Sequence, residues 1–193
     1  MRTYVFHVSI PGTGRVWRKI EIGADRTLQD LHFAIQDAYD WDADHLYSFF
    51  MSGRAWDKNS EYCLPHGSSP WGFEVEESEE EEVEASELLE DMFGEDGRDM
   101  LESLGITADD VEGLLTDLVA SEESRDVRTT TIESLDLEVD KEFMYLFDYG
   151  DEWRFKVRLH ALNEDADPDL EYPRIVESVG DAPPQYGSWD DEI

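Results

Sequence analysis

The chain has 193 residues, of which 40% are hydrophobic and 12% aromatic, so it can form a core and is not wholly disordered. Lysine and arginine number 15 against 49 aspartates and glutamates, which gives a formal net charge of −34. A surface this acidic repels anionic membranes and nucleic acids, so neither is an expected partner of the bulk surface.

The first predicted element is a β-hairpin. Residues 3–10 alternate between apolar and polar side chains, and residues 11–14 (Pro-Gly-Thr-Gly) supply turn chemistry. In the run that follows, Arg18 shares a face with the apolar residues at 16, 20 and 22. Strand, turn and strand therefore predict a hairpin, with Arg18 directed into the domain.

A helix and a third strand come next. Apolar residues recur at helical spacing from Leu28 to Tyr39, with His32 on the same face, and Asp25 or Thr27 is the expected cap. Residues 45–51, which begin with His45, are expected to form a strand, and residues 54–72 have the composition of a loop.

An acidic, low-complexity run at residues 74–87 opens a predicted insertion over 74–127. Beyond the run lie a short apolar patch at residues 88–93 and a second patch at residues 106–119 with helical spacing, so two short helices are expected inside the insertion. Residues 1–73 and 128–193 then form the main domain.

Two further strands are predicted near the C-terminal end. Aromatic residues alternate from 143 to 149, Asp148 and Asp151 flank a turn, and a second alternating run starts at Trp153. The expected fold class is α+β, a mostly antiparallel sheet with helices packed on one face and a small acidic helical insertion.

The charge distribution predicts life at high salt. Only 4 of the 15 basic residues are lysines, and acids occur throughout residues 25–44 as well as in the 74–87 run. Self-repulsion on this scale destabilises a compact state, and molar salt shortens the screening length to about 3 Å. We therefore expect a protein adapted to the inorganic cations of a salt-in halophilic cytoplasm.

Other features favour a soluble, cytoplasmic protein. Cys63 is the only cysteine, so no internal disulfide can form. The N-terminus leads directly into a predicted strand, with no signal-peptide core. No apolar stretch reaches the roughly 20 residues that a membrane-spanning helix needs.

Several segments together resemble the plasmid pRiA4b ORF-3 family. The most specific is Tyr145-Leu146-Phe147-Asp148-Tyr149-Gly150-Asp151-Glu152-Trp153, which is similar to that family's Y-x-Y-D-F-G-D-x-W signature. The others, in order, are Val16-Trp17-Arg18-Lys19-Ile20, Leu31-His32-Phe33-Ala34-Ile35-Gln36, Trp41 with His45-Leu46-Tyr47-Ser48-Phe49, Tyr172-Pro173 and Pro183-Pro184.

The resemblance covers most of residues 3–73 and 128–187 and implies an α+β domain associated with plasmids or mobile elements, without a settled activity. Family members commonly carry an acidic residue and a glycine pair after the double proline, often with a cysteine nearby. This chain has Gln185-Tyr186-Gly187 there. Any site that needs a carboxylate or thiol at that end is therefore in doubt.

One candidate site combines imidazole with carboxylate groups. His32, His45, Asp148 and Asp151 could hold a divalent metal that activates water, and Trp153 could line the same polar cleft. The alternative is a core histidine at position 32 and two aspartates that close a turn. No tightly spaced metal motif such as H-E-x-x-H is present.

A second candidate is a row of cations. Arg154, Lys156, Arg158 and His160 share one face of a strand and could bind anions such as phosphate, or could pair with acids across strands. Arg18 could steer an anionic substrate or, if buried, pair with Asp148 or Asp151.

Two functions therefore stay open at this point. One is a non-catalytic binding or accessory domain in mobile-element or nucleic-acid biology. The other is a metal-assisted hydrolase with a His/Asp site.

Overall fold

A computed structural model of the chain describes residues 1–65, 68–70 and 125–186. The chain divides into two compact units, one made of Met1–Phe73 with Arg125–Ile193 and the other of Glu74–Ser124. The acidic run and the two predicted helices of the insertion lie outside the described residues.

The main unit is built on one seven-stranded sheet in which every neighbouring pair is antiparallel. The strand order across it is β4-β3-β5-β6-β1-β2-β7. The strands are β1 (Thr3–Ser9), β2 (Trp17–Gly23), β3 (Tyr47–Phe50), β4 (Glu61–Cys63), β5 (Glu142–Phe147), β6 (Trp153–Asn163) and β7 (Arg174–Val179).

The predicted fold class is wrong in its helical part. Among the described residues there is a single α-helix, α1 (Leu28–Tyr39), with two short 3₁₀ turns at Lys58–Ser60 and Glu133–Leu135. The described part of the unit is therefore mostly β, with α1 as its single α-helix. The physical reason is that helical spacing of apolar residues occurs in this part of the chain only between 28 and 39, whereas the other apolar runs alternate with a period of two.

Local chemistry fixes where α1 begins. The Thr27 hydroxyl accepts a hydrogen bond from the Asp30 backbone N–H at 3.1 Å, and the Thr27 N–H donates to the Asp30 carboxylate at 2.9 Å. This reciprocal capping box makes Thr27, one of the two expected caps, the N-cap. At the other end Asp40 adopts a left-handed conformation that terminates the helix.

The sheet has two unlike faces. The inner face packs against α1 and is almost fully buried, with Phe6, Ile20, Tyr145 and Phe155 each at most 1% exposed. Side chains alternate along each strand, so the residues between them form the outer face. On β1, β2 and β6 the outer face carries six side chains that are half-buried or exposed: His7, Trp17, Lys19, Lys156, Arg158 and His160.

Within the described residues, no helix is both long and apolar enough to cross a membrane.

A basic outer face and a His–Asp cleft as candidate sites

Arg18 lies on the inner face and is 6% exposed, as its position in the strand predicted. Its Nε donates to the Ala38 carbonyl at 2.8 Å, and its Nη1 lies within hydrogen-bonding distance of the carbonyls of Trp17, Val179 and Gly180. The guanidinium also stacks 4.8 Å from the Tyr39 ring. Backbone carbonyls thus replace the expected partners Asp148 and Asp151, and Arg18 ties α1 to the end of β7.

His32 is fully buried on the side of α1 that faces the sheet. Its Nδ1 is 2.6 Å from the Tyr145 hydroxyl, which also accepts a hydrogen bond from Gln36 at 2.7 Å. The imidazole stacks on the Tyr47 ring with centroids 3.7 Å apart. Desolvation lowers the pKa of His32 to about 3, so the ring is neutral. Its Nε2 is buried with no hydrogen-bond partner in the described part of the chain.

His45 lies between two carboxylates, in the segment just before β3. Its Nδ1 is 2.8 Å from Asp44 Oδ1, and its Nε2 is 3.6 Å from Asp148 Oδ2. Asp148 has a second role, because its Oδ1 accepts a hydrogen bond from the Gly150 N–H at 2.9 Å and closes the turn after β5. Asp151 is exposed in that turn. The structure therefore brings His45 and Asp148 together.

The C-terminal segment packs beside His45, and we refer to the surroundings of His45 and Asp148 as the His45 cleft. The Tyr186 hydroxyl donates to Asp44 at 2.6 Å, and the Gln185 amide donates to Asp44 and to the Asp42 carbonyl, both at 3.0 Å. The hydrogen bond to Asp44 raises the pKa of Tyr186 to about 12. Burial favours a higher pKa for Asp44, but the bonds from Tyr186 and His45 outweigh it and lower that pKa overall. The two residues that depart from the family pattern thus anchor the segment.

Aromatic side chains form the wall of the same cleft. Trp153 packs edge-on against Trp41 with ring centroids 4.7 Å apart, and Phe147 lies 5.9 Å from the His45 ring. The Trp41 indole donates to the Pro183 carbonyl at 2.8 Å. The Trp153 Nε1 is buried without a hydrogen-bond partner among the residues that the structure describes.

Within the described ranges, no group of three or more His, Cys, Asp or Glu side chains is arranged to hold a metal ion. His32 bonds Tyr145 and Asp151 is exposed, so of the four predicted ligands only His45 and Asp148 are shown in contact with each other. A divalent-metal site stays a prediction, restricted to that pair.

The predicted row of cations lies on the outer face. Arg154 pairs with Glu152, Lys156 with Glu142 at 2.7 Å, and Arg158 with Asp140 at 3.5 Å. The three basic side chains are still 36–51% exposed. Exposed pairs of this kind hold their partners weakly, so the cations can exchange one anion for another.

The outer face continues across β1 and β2, where sequence reasoning did not look for a site. His7 and Trp17 lie with ring centroids 4.9 Å apart, and Lys19 Nζ lies 5.5 Å from the Trp17 ring. Lys19 also pairs with Glu177 at 2.9 Å. Burial, followed by the positive charge of Arg158, lowers the pKa of His7. We name this set of residues (His7, Trp17, Lys19, Lys156, Arg158 and His160) the basic patch.

The sequence pattern indicates the basic patch only weakly. His7 and Lys19 are the polar members of alternating strands, and pairing β1 with β2 in the hairpin register would have placed them opposite each other. The link to Arg158 required the pairing of β1 with β6, which are separated by most of the chain. Asp44, Gln185 and Tyr186 meet at the cleft for the same reason, through long-range packing.

Comparison with known proteins gives one family and one fold. The model of the family described as plasmid pRiA4b ORF-3-like protein matches residues 2–186. A search of curated proteins found no match. A crystal structure of a protein of unknown function from Methanosarcina mazei Go1 has a TM-score of 0.55 and 21% sequence identity, covering 95% of this chain and 73% of that one. At this identity the likeness shows the fold alone.

Proposed function

The chain belongs to the plasmid pRiA4b ORF-3-like family, and we propose that it is a non-catalytic binding domain that holds nucleic acid on the basic patch, in a high-salt cytoplasm. The observation that carries this proposal is the open outer face. It presents exposed Lys156 and Arg158 beside His7 and Lys19 in a chain of net charge −34.

The net negative charge of the whole protein opposes nucleic-acid binding, but high salt screens most of this repulsion. In dilute buffer the long-range field repels a phosphate polymer. At molar salt the screening length falls to about 3 Å, so contacts between neighbouring groups decide binding. Local repulsion of an anionic polymer is low at the basic patch, because the acids paired there are each balanced by a cation.

The family supports the choice of nucleic acid over other anions. Its description refers to an open reading frame of a plasmid, which is a mobile genetic element. Nucleic acid is the phosphate polymer on which a protein serving such an element would act. Phosphate contacts from lysine and arginine would position the strand without reading its sequence.

A charge-reversal experiment tests the proposal. Fluorescence anisotropy in molar KCl would follow a labelled oligonucleotide of about 20 nucleotides, long enough for the site sizes of about 4–16 nucleotides usual in such proteins. The double variant Lys156→Glu/Arg158→Glu is expected to weaken binding by about tenfold or more, because two phosphate contacts become repulsive.

The matched control is the double variant Arg26→Glu/Arg54→Glu, which changes the net charge by the same amount at two exposed arginines outside the basic patch. If both proteins lose the same affinity, the loss reflects net charge and the patch is not the site. If the native protein does not bind the oligonucleotide at any KCl concentration, the proposed function is wrong.

Adaptation to high salt is tested separately by stability. We expect cooperative unfolding in molar KCl and loss of the transition after dialysis into dilute buffer, because the net charge of −34 is then unscreened. A thermal midpoint that does not change with KCl concentration would contradict this part of the proposal.

The second candidate function, a metal-assisted hydrolase, rests on His45 and Asp148. A metal about 2.1 Å from both His45 Nε2 and Asp148 Oδ2 fits their 3.6 Å separation, with Asp44 orienting the imidazole from behind. Elemental analysis of untagged protein tests it. One equivalent of metal, lost in His45→Ala and kept in His160→Ala, would support the hydrolase, and no metal after incubation with zinc or manganese would reject it.

A further inference from the structure

We infer that the basic patch takes its nucleic acid as a single strand, with a base stacked on the aromatic pair of His7 and Trp17; this inference rests on the proposed function. Single strands differ from duplexes in offering the flat faces of their bases. A protein can use those faces only if it presents rings at an open surface.

The two rings lie on neighbouring strands, β1 and β2, each of which is paired with a strand on both sides. His7 pairs with Lys19 across β1 and β2, and Ser9 pairs with Trp17, so His7 and Trp17 are diagonal neighbours on the outer face. Their centroids are 4.9 Å apart at an interplanar angle of 32°. Both side chains are only partly buried, in contrast to the buried aromatic residues of the inner face.

The cations lie at a suitable distance for the backbone of the same strand. β6, which carries Lys156 and Arg158, is separated from β2 by β1 alone. Two strand spacings amount to about 10 Å. Ser9 pairs with both Trp17 and Lys156, and His7 pairs with both Lys19 and Arg158. A base on Trp17 therefore leaves the adjoining phosphates within reach of Lys156, with Lys19 two residues further along β2.

At high salt, base stacking keeps more of its contribution to affinity than phosphate contacts do. Phosphate contacts release counterions, so their contribution falls steeply as KCl rises. Contact between a base and an aromatic ring excludes water and is not screened. In molar salt the His7–Trp17 pair therefore adds affinity that salt does not remove, and a duplex, whose bases are stacked on one another, gains none of it.

The test compares a labelled single strand of about 10 nucleotides with the duplex of the same sequence, by anisotropy in molar KCl. The native protein is expected to bind the single strand more tightly. Trp17→Ala should weaken that binding about 5- to 150-fold, which corresponds to about 1–3 kcal/mol at 1.4 kcal/mol per factor of ten. Trp17→Phe, which keeps a ring, should retain most of the affinity.

The matched control is Phe33→Ala. Phe33 is an aromatic residue 38% exposed on α1, on the opposite side of the sheet, and its removal should leave affinity unchanged. Equal binding of duplex and single strand, or equal losses in Trp17→Ala and Phe33→Ala, would overturn stacking while leaving nucleic-acid binding in place. Failure to bind either oligonucleotide would overturn the proposed function itself.

Discussion

On the inner face of the sheet Arg18 and His32 are buried among backbone carbonyls and aromatic rings, whereas on the outer face Lys156 and Arg158 are exposed and paired with exposed acids. A buried charge has one set of partners and cannot exchange it without unfolding. An exposed pair is worth little and can be replaced by another ion.

This difference separates structural from functional polar groups. Arg18 and His32 were candidates for a cleft because cationic and imidazole groups are common in sites. Their surroundings instead make them parts of the core, with hydrogen bonds that join α1 to the sheet. The groups free to meet a ligand are those of the basic patch and the edge of the His45 cleft.

At neutral pH the largest loss of stability is expected from Arg18→Lys on the inner face. An ammonium group cannot reproduce a planar fork that bonds the carbonyls of Ala38, Val179 and Gly180. Leaving two or more buried carbonyls without donors should lower the free energy of unfolding by about 3 kcal/mol. Urea unfolding in molar KCl measures it, with Arg154→Lys on the outer face as the control that should change little.

The second-largest loss of stability is expected from Gly180→Ala. Gly180 has a φ of 74°, and a Cβ there would lie 2.6 Å from the Arg15 carbonyl oxygen, so the substitution combines backbone strain with a clash. Gly53 has nearly the same φ with open space around it. We expect Gly180→Ala to lower the free energy of unfolding by about 2 kcal/mol more than Gly53→Ala does. Equal losses would mean that β7 moves away from the Arg15 backbone at no cost.

His32 should make the free energy of unfolding depend on pH. Its pKa of about 3 in the folded state lies below the unfolded value of 6.5, so the unfolded state binds a proton first as the pH falls. Stability is therefore fully present above pH 6.5 and declines toward pH 3, by about 1.4 kcal/mol per pH unit.

His32→Phe keeps a ring on Tyr47 and removes the titration. In molar KCl, which screens the repulsion among the carboxylates, the stability of the native protein minus that of His32→Phe should fall as pH falls from 6.5. A difference independent of pH would show that His32 is not buried in the neutral form.

The smallest effect is expected from Lys156→Gln on the outer face. Lys156 and Glu142 are about half exposed, and such a pair contributes about 0.5 kcal/mol or less. The unfolding midpoint in urea should therefore hardly change. A loss as large as that of Arg18→Lys would remove the distinction between the two faces.

Much of the fold could be predicted because alternation is strong where one face is buried. β1, β2, β5, β6 and α1 fall where their periodicities place them. β4 and β7 were missed because both lie at the edges of the sheet, and β7 is exposed along nearly all its length and shows no alternation. The expectation of helices packed on one face was wrong for the described residues, because helical spacing of apolar residues there is confined to residues 28–39.

The sites could be predicted only as residue types. Arg154, Lys156 and Arg158 were recognisable as one cationic face, and His45 and Asp148 as possible neighbours. The sequence did not indicate that Arg18 bonds carbonyls, or that Tyr186 reaches Asp44 from 142 residues away. Those contacts depend on the order of strands in the sheet, which local periodicity does not encode.

The most direct test of the central claim is chemical-shift mapping by NMR, with ¹⁵N-labelled protein in molar KCl and a short single-stranded oligonucleotide. We predict that the largest changes fall on the outer face, at His7, Lys19, Arg158 and the indole N–H of Trp17, with the inner face unaffected. Changes confined to Asp44, His45 and Asp148, or no changes at saturating oligonucleotide, would contradict the assignment of binding to the outer face.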